Sequence, residues 1–141
     1  MPIHGFHGLA LCCIDVGRLH MFVKYCWAIL ALIHIMPALA FFRPELLTSL
    51  YGAQSSSSIY LLLQHRAALF AGIFVACLWA LFRSESRQLA VVVVAISMLS
   101  FLVVFAVHGM PENLRVIAIV DLLGLPFLGI VAWHAFCNAK L

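Results

Sequence analysis

The chain has 141 residues, of which 66% are hydrophobic and only 9% charged, with a mean hydropathy of +1.15 and a formal net charge of +3. Soluble domains carry about a quarter charged residues, so this composition excludes an ordinary soluble fold and reads as a one-domain integral membrane protein whose core is built between helices in lipid. The basic residues are scattered at segment ends and form no stripe, which gives no case for nucleic-acid binding.

Residues 1–20 read as an N-terminal cytoplasmic or interfacial extension. They lack the basic start, clean apolar core and small-residue cleavage site of a secretory signal, and no cleavage is expected. Phe6, Leu9, Ala10, Cys13 and Ile14 share one face of an interfacial helix, with His4, His7 and His20 toward water or headgroups, although a disordered extension fits equally well. Met21 is an alternative start. Cys12-Cys13 fits a palmitoylation or metal site, with plain packing the simpler reading, and His4 and His7 lack a third metal ligand.

Four apolar segments of bilayer length follow, at about 22–42, 59–82, 89–108 and 114–137, forming a four-transmembrane-helix domain over 21–141. The predicted fold is all-α, an integral membrane four-helix bundle with short loops. Runs such as Val91 to Val94 lack the ten-residue alternation of a membrane barrel, and a helix satisfies its own backbone in lipid. Arg43-Pro44 ends the first span, Glu45 to Tyr51 fits one interfacial turn, and Gly52 to Ser58 fits a surface loop. Arg83 to Gln88 reads as a compact charged hairpin, and Gly109 to Asn113 as a breaker before a helix start.

Arg18, Lys24, Arg83, Arg87 and Lys140 fall at one end of the spans and Arg43 and Arg115 at the other, which favours both termini in the cytoplasm. Cys26, Cys77 and Cys137 lie toward the cytoplasmic side, so a disulfide framework is not expected.

The informative residues are the ionisable ones inside these spans. Arginine near a bilayer centre costs roughly 2.5–3.5 kcal/mol on insertion scales, so such residues are expected to face a bundle interior, a partner or a watery cavity. Gln64-His65-Arg66 interrupts the apolar run from Ile59 to Phe82. At about 1.5 Å per residue, His65 and Arg66 lie roughly 10 Å from the outer end of their span. His34 and Asp121 fall at a matching level, while His108 and Arg115 close and open their spans on the same side. These six form an expected outer-leaflet cluster, with almost nothing ionisable in the inner half.

At 100° per residue, His65 lies about 20° from Gly72 in a small-residue stripe of Ala68, Gly72, Ala76 and Ala80, so it is expected to point into a helix contact. Ala31 and Ala38 flank His34. Ser97, Ser100, Val104 and His108 share a face, as do Asp121, Gly124 and Leu128. Pro37 should kink the first span and free a backbone carbonyl beside the cluster.

Three function classes fit. The leading one is a pocket for a small amphipathic molecule or lipid, quinone or isoprenoid-like, with Arg66 on an anionic or carbonyl group and the histidines orienting or protonating it. Haem or metal binding is the second: His34 and His65 as axial ligands, or His34, His65 and His108 as a three-histidine site. The third is a structural or accessory subunit of a homo-oligomer or larger membrane complex, with Arg66 and Asp121 simply an ion pair. Catalysis with His65 as acid/base and Arg66 as clamp is conceivable, but no nucleophile-base-orienter set is visible. A four-span chain without an internal repeat offers no alternating halves for transport unless it dimerises.

Ile33-His34-Ile35-Met36-Pro37, Leu50-Tyr51-Gly52, Leu63-Gln64-His65-Arg66-Ala67 with Leu69-Phe70, and Arg115-Val116-Ile117-Ala118 leading to Asp121 together resemble small four-span bacterial membrane proteins. The resemblance covers about residues 21–137. These proteins are commonly uncharacterised, and many carry the label phosphopantetheine adenylyltransferase. Soluble adenylyltransferases of that name use a strand-based nucleotide fold with a Gly-His phosphate motif; this chain has neither, its His7-Gly8 being reversed. The family often places an aromatic residue after the aspartate, where this chain has Leu122.

Overall fold

The computed structural model describes residues 6–43, 45–51 and 58–137, with the side chains of 17–43, 45–49 and 58–137. The readings placed on His4, on the side chains between Phe6 and Ile14, on Cys12 and Cys13, on Pro44, on the 52–57 loop and on Lys140 lie outside these.

Every extended apolar run becomes a helix. The elements are α1 (Phe6–Phe42), α2 (Glu45–Tyr51), α3 (Ser58–Phe82), α4 (Arg87–Val107) and α5 (Arg115–Cys137), with short 3-10 turns at Ser84–Ser86 and Glu112–Leu114. No strand occurs among the described residues. Four stretches are long and apolar enough to cross a bilayer, Gly17–Phe42, Ser58–Phe82, Ser84–Val107 and Glu112–Cys137, so all four expected spans are present within a few residues of their predicted bounds. The helix of the first span continues without a break back to Phe6, through the boundary drawn at residue 20. α2 is a short helix over the residues where the sequence reading placed a single turn after Arg43.

α1 is the hub. Its richest packing is with α3, while α5 packs on both α1 and α4; α3 and α4 approach one another far less. This arrangement is compatible with a four-helix bundle whose α3–α4 side is splayed. One core joins Val23, Trp27, Leu30 and Ala31 of α1 to Cys77 and Ala80 of α3, Val94 and Met98 of α4, and Leu128 and Val131 of α5. At Gly124 α5 lies close to both α1 and α4: a Cβ there would stand 2.6 Å from Met98 Cε and 2.9 Å from Ile33 Cδ1, the ends of two flexible side chains that would have to shift. A second cluster, Ala40, Leu47 and Ala67, seats α2 against the ends of α1 and α3.

The chain connections are short because helix ends are closed locally. α4 ends in a Schellman arrangement: the Met110 amide donates to the Phe105 carbonyl (3.0 Å) and the Gly109 amide to Ala106 (3.3 Å), before Pro111 stops the helix. At the other end of the molecule the buried Arg87 donates from Nε to the Ala80 carbonyl (3.1 Å), and Gln88 from Nε2 to Ala135 (3.1 Å). These carbonyls belong to the last turns of α3 and α5, which have no intrahelical donors of their own.

Candidate functional site

The site begins at Arg66 of α3. Its guanidinium lies 5.5 Å from the Phe70 ring centroid and 5.7 Å from that of Phe101 on α4, within the roughly 6 Å reach of a cation–π contact. Phe70 sits one turn along α3 from Arg66. On its other flank, the Phe70 centroid lies 6.0 Å from the His34 ring of α1. His34 is only 2% exposed. Its Nδ1–H donates to the Leu30 carbonyl at 2.8 Å, so in the neutral ring Nε2 remains the acceptor. Ala31 and Ala38 are buried on either side of it, as the sequence pattern requires.

Asp121 enters from α5 on the same buried face as Gly124 and Leu128, and is 9% exposed. Arg66 acts on its carboxylate electrostatically, but no nitrogen of Arg66 comes within 4.0 Å of it. The expected direct ion pair is therefore not formed. Matching depth is satisfied, yet α3 and α5 occupy diagonal corners, each packed on α1 and hardly on one another. Among the described residues the Asp121 carboxylate has neither a hydrogen bond nor an ion pair.

Between α3 and α4 the splay opens a groove of about 1010 Å³. Arg66 and Phe70 stand on one wall, and Ser97, Ser100, Phe101, Val104 and His108 on the other; Pro111 and Leu114 close the end beside the α4–α5 connection. The α4 face expected from periodicity is thus the wall of a cleft. Its lining is predominantly apolar, and among the described residues Arg66 is the only Asp, Glu, Lys or Arg there. His108 is exposed, its Nδ1 held by the Val104 carbonyl at 2.9 Å.

Two candidates fall elsewhere. His65 is exposed, which corrects the expectation that it points into a helix contact. α3 turns Phe70, Ile73, Cys77 and Ala80 inward, and at 100° per residue His65 stands about 140° from Phe70 around the helix. The small-residue stripe is not the main seam either, since a Cβ on Gly72 would meet no atom within 4 Å. Arg115 is exposed and pairs only with Glu112 at 3.7 Å, three residues before it. The expected grouping therefore reduces to His34 and Arg66, linked through Phe70, with Asp121 felt by Arg66 only at a distance and His108 further along the groove.

His34 and His65 do not face a common space, so the paired-axial arrangement is not formed. Among the described residues no group of three or more His, Cys, Asp and Glu side chains is placed to hold a metal ion. Cys26 and Cys77 are buried free thiols, and Cys137 is an exposed one.

The sequence reading missed Phe70 and Phe101 as the rings flanking Arg66, although i,i+4 spacing of Arg66 and Phe70 was there to be seen. It also missed Pro126. Inside α5 it removes the amide that would bond the Leu122 carbonyl, as Pro37 does for Ile33 in α1, so both helices loosen their backbone pairing next to Asp121 and His34. At the end where the sequence reading counted Arg87 only as a flanking charge, Arg87, His20 and His134 surround a smaller cavity. Comparison with protein-family models, with curated proteins and with solved structures gives no match.

Proposed function

We propose that the chain is a multi-pass protein of the bacterial inner membrane, with both termini in the cytoplasm, that binds a small amphipathic molecule of the quinone or isoprenoid kind in the α3–α4 groove. The observation that carries this reading is Arg66. Among the described residues no carboxylate lies at ion-pair distance from this guanidinium, which stands at an apolar cleft close to two aromatic rings. Arg66 is exposed at this apolar surface, and an arginine within an apolar span is costly unless paired; a carbonyl, carboxylate or phosphate head would supply the missing acceptor while its tail follows Ile73, Val93 and Ile96. The groove volume lies near the top of the roughly 300–1000 Å³ range of small-molecule sites.

In this reading Asp121 keeps Arg66 oriented from a distance, and His34 holds Phe70 in place. The four-span resemblance noted in the sequence suits the same assignment, since it gathers on the segments that carry His34, Arg66 and Asp121. Exposed apolar residues distributed around all four long helices, among them Leu62, Val75, Ile96 and Leu123, suit a lipid-facing surface.

The test is native mass spectrometry of protein released from mild detergent, comparing the native chain with Arg66→Ala. A discrete small-molecule adduct on the native chain, reduced at least tenfold in a variant of unchanged elution and helicity, is the expected result. An adduct retained equally by both sinks the groove assignment, and no adduct on either moves the reading to an accessory subunit.

A further inference from the structure

The end of the molecule remote from Arg66 carries a second constellation. Arg87 opens α4 and is 5% exposed, its Nε committed to the Ala80 carbonyl. The two terminal nitrogens of its guanidinium have no hydrogen bond or ion pair among the described residues. Arg87 lines a cavity of about 410 Å³ together with His20 of α1, His134 of α5 and Gln88. His134 lies in the field of both Arg87 and His20, so three basic side chains from three different helices converge on one space. Glu85 also lines this cavity; it is exposed and, among the described residues, within ion-pair distance of none of the three.

We propose that this cavity is an anion site that takes a phosphate group, presented either by an anionic lipid headgroup or by a small phosphate-bearing solute. A nearly buried guanidinium needs a counter-charge, and its terminal nitrogens form a planar fork that matches phosphate oxygens. Histidines on two other helices bring ring N–H donors to the same cavity. The C-terminal carbonyls of α3 and α5 do not oppose this, because Arg87 Nε and Gln88 Nε2 already occupy them. The start of α4 adds the positive end of a 21-residue helix. The site sits at the end flanked by Arg18, Lys24 and Arg83, where basic pockets between spanning helices meet anionic headgroups.

The experiment titrates the purified protein in non-ionic detergent with dioctanoyl phosphatidylglycerol, dioctanoyl phosphatidylcholine or inorganic phosphate, reading binding by thermophoresis. Saturable binding of phosphatidylglycerol but not of phosphatidylcholine identifies a lipid headgroup; saturable binding of inorganic phosphate identifies a solute. Either is expected to weaken at least tenfold in Arg87→Gln and at least fivefold in the double variant His20→Gln/His134→Gln. The double variant leaves both helix caps intact, so it decides the matter if Arg87→Gln does not fold. Absence of saturable binding of both anions, or unchanged affinity in a double variant that elutes and melts like the native chain, overturns the proposal.

Discussion

Two consecutive residues after α4 adopt left-handed backbone, Gly109 at φ 77° and Met110 at φ 55°. Glycine accepts this freely, whereas an L side chain there costs roughly 1–2 kcal/mol. Gly109→Ala is therefore expected to destabilise the protein by about 1 kcal/mol. Met110 is exposed and packs little, so Met110→Asn should stabilise it by roughly 0.5 kcal/mol, asparagine tolerating this conformation better. Unfolding in mixed micelles of graded SDS content reads both shifts; a loss of stability in Met110→Asn would show that the backbone there is unstrained. The glycine of this pair is legible in the sequence as a breaker, but nothing marks the methionine. The same limit applies to His65 and Arg66. Periodicity fixes their separation around the helix, and both are exposed, but only the neighbouring rings of Phe70 and Phe101 set Arg66 apart.

At the scale of the element, the Ser84–Ser86 turn does more than reverse the chain. Arg87 and Gln88 reach from the start of α4 to the carbonyl ends of two other helices, tying α3, α4 and α5 together at one level. Gln88→Ala removes one neutral hydrogen bond and is expected to cost about 1 kcal/mol. Its signature should be local: faster amide hydrogen exchange in the last turn of α5, with the end of α3 unchanged. Equal acceleration at both ends would show that the two caps act as one unit. The charged hairpin from Arg83 to Gln88 is plain in the sequence, whereas the carbonyls it serves are not, because Ala80 and Ala135 carry no side-chain signal of that role. Buried Arg87 was counted only as a flanking charge, since a residue beside a turn looks solvated until the neighbouring helices close over it.

At the scale of the whole molecule, span number and bounds were legible because length and apolarity alone set them. Helix pairing was not, since helices apolar on every side carry no stripe to show which face meets a neighbour. Gly124 is the exception, its missing side chain marking the α1–α5 approach. Trp79 and Trp133 are exposed within two turns of the end that carries Arg83, whereas Trp27 is fully buried. Tryptophans of the first kind suit a bilayer interface. In single-tryptophan variants, lipids brominated near the headgroup should quench Trp79 and Trp133 more than lipids brominated deep in the chain, and leave Trp27 nearly unaffected. Stronger quenching of Trp27 would contradict the packing of α1 as the hub. The splay between α3 and α4 sets one further condition. A molecule held in a cleft that opens sideways exchanges with the bilayer instead of with water, so its occupancy follows its mole fraction among the lipids. Diluting proteoliposomes with buffer should leave that occupancy unchanged, and fusing them with empty vesicles should lower it.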